Sequence, residues 1–567
     1  MSRETVARAR RTQLVSTYGV GSLFPSQDES FMICGLDEWP DRGVVELPEP
    51  RLASSLQVST FRAPRAWGKG DVPVVRFPDM HFCPGCRRLA PHNRFCHWDE
   101  QRCDRCARDL TPSRFVAVCE DSHIQDFPYF QWVHAGSGDP TGGDHELKLE
   151  TRGRTSSLAD IQIRCSCGVL PVSMAGSFSP TALVGVAGCK GMRPWLPAAG
   201  GEGCSKALRT LQRGSSNVWF PVVRSALSIP PWSEGVARFV QKNWTTLGSV
   251  PVHLLSEIVA ALPLGGLPAQ AVLDAVLERR GEQDPEPRTQ AELRSDEYRA
   301  LVQGKKETSP HQQFVSEDVE VAGSLTTSLD QVADVSRLRE VRALSGFTRL
   351  RPEVDDSGSV KVASLSSSKL DWLPAVEVLG EGIFLRVSES RLARWESTEF
   401  AVRRAALIRH GSALKQSPQP SPGVAPRRLA LHALAHAVLK ELSLDAGYPT
   451  ASLRERLFTE PDESGILVYT ATADSAGSLG GLSAQSRSDI MARVFTSAIA
   501  RAGWCSSDPV CIEAESTGAD ARNLAACHAC LLLPETSCEL MNNYLDRATL
   551  VGTPTSPSAG LFSDLAV

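Results

Sequence analysis

CPGCRRLAPHNRFCHWDEQRCDRC, residues 83–106, decides how this chain is read. Cys83 and Cys86 enclose Pro84 and Gly85, Cys103 and Cys106 enclose Asp104 and Arg105, and sixteen residues separate the two pairs. Each C-x-x-C makes a tight knuckle, and two knuckles close a tetrahedron of thiolates; this is the spacing of a four-cysteine zinc ribbon. Cys96 and His97, in the intervening loop, are alternative ligands that the paired spacing disfavours. Arg87, Arg88, Arg105 and Arg108 surround the module. Four thiolates on one zinc leave a net negative site, which such cations offset.

Outward from this stretch, sixteen cysteines fall into three groups, with none between Cys204 and Cys505. The second group is Cys165, Cys167, Cys189 and Cys204, a C-x-C pair followed by Gly-rich loops; it predicts a second zinc, with core thiols as the alternative. In the third, CIEAESTGADARNLAACHACLLLPETSCELMNNYLDR (511–547), Cys527 and Cys530 form a knuckle around His528, whose side chain turns outward. Cys511 is the natural further ligand, and Cys505 competes with it. Thr536 and Glu539 fit a capping box that predicts a helix and places Cys538 in its first turn, where free amides favour a thiolate. The expected cages are therefore Cys83/Cys86/Cys103/Cys106, Cys165/Cys167/Cys189/Cys204 and Cys511/Cys527/Cys530/Cys538, leaving Cys34, Cys96, Cys119 and Cys505 over. Each has four protein ligands, whereas a catalytic zinc keeps a position for water, so two to three structural Zn2+ ions are expected.

The chain has 567 residues, 42% hydrophobic and 22% charged, with a formal charge of −5. That composition fits a folded multidomain protein and excludes a mostly disordered one. It also excludes a global basic field, so any nucleic acid must be met by local patches. No apolar run is long enough for a membrane helix or a signal-peptide core, and a cytoplasmic location is expected. In such a reducing compartment, grouped cysteines read as metal ligands before disulfides.

The organisation predicted is α+β: a β-rich or irregular region (1–80), the zinc ribbon (81–135), a second zinc module (136–230), a helical region (231–345), a β-rich connecting region (346–414) and a C-terminal α/β domain closed by a zinc site (427–567). Helical spacing marks HLLSEIVAAL (253–262), AQAVLDAVLERR (269–280) and LDQVADVSRLREVRAL (329–344). GEQDPEPRTQ (281–290) breaks the pattern. DWLPAVEVLGEGIFLRV (371–387) reads as two strands around a Gly380/Gly382 turn, and KQSPQPSPGVAP (415–426) as an exposed linker.

Arg337, Arg339, Arg342 and Arg349, with Arg351, lie in RLREVRALSGFTRLR and are candidates for DNA phosphate contacts; salt bridges on solvated faces are the alternative. Arg8, Arg10 and Arg11 form a basic N-terminal segment. In LHALAHAVLKEL (431–442), His432 and His436 share a flank at i, i+4, but Ala433 stands where a zinc-protease helix carries its glutamate, so core-edge histidines are the default. Cys119, His123, Asp126 and His134 form one further polar cluster, read as turn residues beside an aromatic core. GILVYTATADSAGSLGGLSAQSRSDIMARVF (465–495) reads as strand, Gly-rich loop and helix, but no Gly-Lys-Ser/Thr follows, and GKK at 304–306 lacks the frame of a phosphate-binding loop.

Five stretches resemble one family, in family order: RRTQLVSTYGVGSLF (10–24), CEDSHIQDFPYFQWVH (119–134), RLREVRALSGFTRL (337–350), LHALAHAVLKEL and CHACLLLPETSCELMNNYLDRATLVG (527–552). They resemble the DrmB family of bacterial DISARM anti-phage systems, whose C-terminal domain is shared with MrfA-type DNA repair helicases. The resemblance implies a non-catalytic companion of a DrmA-type superfamily 2 helicase that helps bind foreign DNA and regulates the ATPase. It carries over Cys511, Cys527, Cys530 and Cys538 as a zinc set and assigns no catalytic residue. The rival reading is a metal-dependent nuclease or hydrolase using His432/His436 or His123/His134; a third is a purely structural assembly subunit.

Overall fold

Val332, Val335, Leu338, Val341 and Leu344 recur every third residue, which predicts a helix; in the computed structural model Leu329–Thr348 is instead a 20-residue strand. Its residues are buried on both faces, among them Ala333, Ala343 and Phe347, so the apolar run marks a covered strand and not a helix stripe. A second correction concerns Trp372–Val387, one continuous 16-residue strand. Gly380 and Gly382 do not turn the chain. A Cβ at Gly380 would lie 2.5 Å from Thr470 Oγ1, and one at Gly382 2.8 Å from the Val468 carbonyl, so both glycines admit the neighbouring strand.

The structure describes all residues except 1–4, 28, 42–43, 66–71, 137–144, 153–156, 232, 282–287, 311, 354–359, 415–423, 471–479, 518–521 and 567. Most of the expected linker at 415–426, most of the Gly-rich loop after Thr470 and most of the break at 281–290 lie outside the described residues. The chain is α+β and divides into two units.

The first unit comprises residues 1–46, 62–224 and 343–376. It holds small antiparallel sheets, one of six strands in the order Val172–Ser173, Ile161–Cys165, Leu147–Thr151, Arg88–Pro91, Met80–Phe82 and Thr111–Pro112. Another pairs Phe115–Val118 with Ile124–Asp126 and Arg209–Gln212. Separate apolar clusters lie around Met32, Val118, Trp195 and Phe347 and around Phe115, Phe127, Tyr129 and Ile163.

The second unit comprises residues 47–61, 225–342 and 377–567. Its helices include Gly235–Lys242, Val252–Ala261, Ala269–Gly281 and Gln290–Gln303, the last opened by a Thr289/Glu292 capping box. At its centre is Pro426–Asp445, begun by Pro at its first turn and buried on every side from Leu429 to Leu439. It packs against helix Ser488–Ala502 and the antiparallel strands Leu453–Phe458 and Gly465–Thr470. A helix buried all round must satisfy any polar side chain it carries internally.

The same rule governs Arg456, fully buried beside Glu297 at 2.7 Å and Glu340 at 3.1 Å, with the Ser225 carbonyl at 3.0 Å. Burial pushes the Glu340 carboxyl up, but Arg342, Arg454 and Arg456 together hold it well below the usual carboxylate range. Its folded-state affinity for a proton is depressed, so its contribution is complete above about pH 4.3 and is lost progressively as pH falls below that. Replacing Arg456 by Leu leaves the buried Glu297 carboxylate without its close cation and removes one of three beside Glu340; it should cost about 3–5 kcal/mol, read as a lower urea midpoint. Replacing Arg102, whose pair with Asp109 is exposed, should cost less than about 0.5 kcal/mol.

Candidate metal centres

In the ribbon the two knuckles are built alike. Arg87 N–H donates to the Cys83 carbonyl and Ala107 N–H to the Cys103 carbonyl, both at 2.9 Å; Cys83 N–H and Cys103 N–H donate to the Arg88 and Arg108 carbonyls, also at 2.9 Å. Arg87 and Ala107 therefore take left-handed φ of 64° and 55°. Cys83 Sγ lies 3.3 Å from Cys106 Sγ, and Cys86 Sγ 3.6 Å from Cys103 Sγ. These spacings are far beyond a disulfide and near the edge of about 3.8 Å of a tetrahedron with 2.3 Å zinc–sulfur bonds. Gly85 is required here, since a Cβ would sit 2.9 Å from Cys106 Sγ. Arg88 ties the knuckles through Asp104 at 3.1 Å. Cys96 lies outside the set, 3.6 Å from His92 Nε2.

The expected second cage is divided between two sites. Cys189 and Cys204 join Cys119 and His123, while Cys165 and Cys167 join His134 and His145. Cys119 and His123 flank the turn between strands Phe115–Val118 and Ile124–Asp126, so the hairpin brings them together. His123 Nδ1 faces Cys119 Sγ at 3.3 Å and Cys189 Sγ at 3.7 Å, and its Nε2 is 2.8 Å from Glu202. An imidazole that gives one N–H to a carboxylate presents its other nitrogen as a ligand. In the other set, His134 Nδ1–H donates to the Phe130 carbonyl at 2.7 Å and Nε2 faces Cys167 at 3.4 Å, while His145 Nδ1 lies 3.1 Å from Cys165. His123 and His134 therefore belong to different groups and share no catalytic centre.

The C-terminal set is also regrouped. Cys505, not Cys538, joins Cys511, Cys527 and Cys530. Cys505 and Cys527 are 3.5 Å apart, and Cys511 and Cys530 3.7 Å. Lys440 donates to the Cys530 carbonyl, and Arg547, paired with Asp508, adjoins Cys511; both cations offset thiolate charge. No helix begins at Thr536. Glu535–Ser537 is a single 3-10 turn, Cys538 is extended, and Met541 and Asn542 take φ of 52° and 58°, which no helix tolerates. Cys538 instead meets His432, His436 and Glu455 in the interior. All four side chains are buried.

The arginines expected to meet DNA are placed otherwise. Arg349 is fully buried and donates to the carbonyls of Ser122, Val218 and Gly21 at 3.0, 2.6 and 2.8 Å. Arg339 is held by Glu49 at 3.2 Å and by Glu377, and Arg342 by Glu340 at 2.7 Å. Only Arg337, paired with Glu307 at 2.8 Å, is half-exposed. Arg339 and Arg342 lie on a strand covered on both faces and neutralise the buried carboxylates Glu49 and Glu340.

Cys119, His123, His134, His145, Cys505, His432, His436 and Glu455 are the donors that cysteine spacing alone missed. The C-x3-H of Cys119/His123 and the histidines either side of the 137–144 segment were the available signals. Among the described residues five groups of four donors result, each set within 4.8 Å. Cysteine and histidine in sets of four suit zinc. Cys505→Ser should lower zinc content by one per chain and depress the unfolding temperature, since such binding supplies on the order of 10 kcal/mol. Cys96→Ser should leave the zinc content unchanged; both are read by elemental analysis of the purified protein.

Residues 10–220 match a family described as a domain of unknown function, DUF8724, and residues 434–531 match the MrfA Zn-binding domain. The latter span contains Cys505, Cys511, Cys527 and Cys530. The DISARM protein DrmB of Bacillus paralicheniformis is 29% identical over 570 residues, covering 95% of this chain and 100% of that protein. The chain is thus similar to DrmB along nearly all of its length, and its C-terminal four-cysteine centre lies within the span that matches the MrfA Zn-binding domain.

Proposed function

We propose that this chain is a non-catalytic subunit of a bacterial DISARM anti-phage complex, acting in the cytoplasm beside a superfamily 2 helicase. The observation that carries the reading is the full-length likeness to DrmB. The donor sets support it: each already offers four protein ligands, leaving no position for the water that a zinc hydrolase activates. On this reading ATP is hydrolysed by the helicase, and this chain helps hold foreign DNA and tunes that hydrolysis. Among the described residues no helix is long and apolar enough to cross a membrane.

DNA contact then falls to arginines the interior does not use. Arg8, Arg10 and Arg11 are exposed. Mixing the chain with its helicase should change the DNA-stimulated ATPase rate, while the chain alone hydrolyses no ATP. An unchanged rate together with unchanged DNA affinity of the mixture would contradict the proposal. Replacing Arg8, Arg10 and Arg11 by Ala should flatten the slope of log affinity against log salt by about 2–3, at about 0.9 for each lost phosphate contact.

A further inference from the structure

His432 and His436 lie one turn apart on helix Pro426–Asp445 and point the same way. His432 Nδ1 is 3.2 Å from the Tyr544 carbonyl, and His436 Nδ1 is 2.8 Å from the Leu531 carbonyl. A carbonyl only accepts, so each Nδ1 carries the proton and each neutral ring turns an Nε2 lone pair inward. Those two lone pairs face each other at 3.0 Å. Glu455 Oε1, another acceptor, lies 3.1 Å from His432 Nε2 and 3.3 Å from His436 Nε2, and Cys538 Sγ is 3.2 Å from His432 Nε2. Acceptors converging in a dry interior repel one another unless a cation sits among them. Ligands about 2.0–2.3 Å from one zinc are about 3.3–3.8 Å apart, close to the spacing found.

Charge separates this set from the two four-cysteine sets. A four-cysteine zinc is doubly negative, and the C-terminal one keeps Lys440 and Arg547 nearby. One thiolate and one carboxylate with two neutral imidazoles cancel Zn2+ completely. A neutral site is the kind that a fully buried position accepts, and the four side chains here are at most 2% exposed. Glu455 Oε2 is buried with no hydrogen-bond partner, and Asn542 N–H donates to Cys538 Sγ at 3.2 Å. The buried residues Leu434, Ala435, Leu531 and Leu545 belong to the surrounding apolar cluster.

We propose that His432, His436, Glu455 and Cys538 form a closed, charge-neutral zinc site, separate from the four-cysteine centre, that pins the central helix to strand Leu453–Phe458 and to the C-terminal segment. His432 and Cys538 fall outside the span matched to the MrfA domain. The full-length protein and its Glu455→Gln and Cys538→Ala variants should be compared by native mass spectrometry with elemental analysis. Each variant should lose one zinc per chain; a folded variant that keeps the wild-type zinc content would overturn the site. Should neither variant fold, an anomalous difference map of wild-type crystals at the zinc edge decides. A peak among the four donors supports the site, and its absence means a proton-bridged network instead.

Discussion

Convergence of four soft donors on one point does for the small modules what apolar burial cannot. The buried apolar cluster of the ribbon consists of Phe95, Leu110 and the cysteines Cys83 and Cys103 themselves. A cluster of that size cannot offset the conformational entropy of residues 83–106. Metal binding on the order of 10 kcal/mol can. Repeated knuckle hydrogen bonds, left-handed Arg87 and Ala107 and the crowded Gly85 all follow from holding sulfur at that spacing.

Charge distinguishes the four-cysteine sets from the innermost one. All-sulfur sets lie where cations approach, as at Arg88 beside the ribbon or Lys440 beside Cys530. The innermost set mixes imidazole, carboxylate and thiolate and needs no counter-charge. Interior arginines obey the same electrostatics without metal: Arg456, Arg339 and Arg404 each pair with buried carboxylates. Such pairs add little net stability when intact but are costly to break, which makes the packing of each unit specific.

The ribbon was legible because both its knuckles are local in sequence, and the α+β class because helical periodicity from 253 to 280 was strong. The remaining sites were not, because their ligands meet only through tertiary structure: Cys189 reaches His123 across 66 residues and Cys538 reaches His432 across 106. Proximity in sequence misassigned Cys538 to the nearest knuckle and passed over Cys505. The three-residue recurrence in Leu329–Thr348 imitated a helix because a strand covered on both faces has no polar side to reveal its period. The same coverage turned Arg339 and Arg342, which suit phosphate, into internal counter-ions.

Closed metal centres hold the small modules and the central helix in place. Zinc per intact chain, measured on purified protein after exhaustive removal of loosely bound metal, tests this most directly. Five ions per chain are predicted, one for each donor set. Three or fewer in a fully folded protein would contradict it.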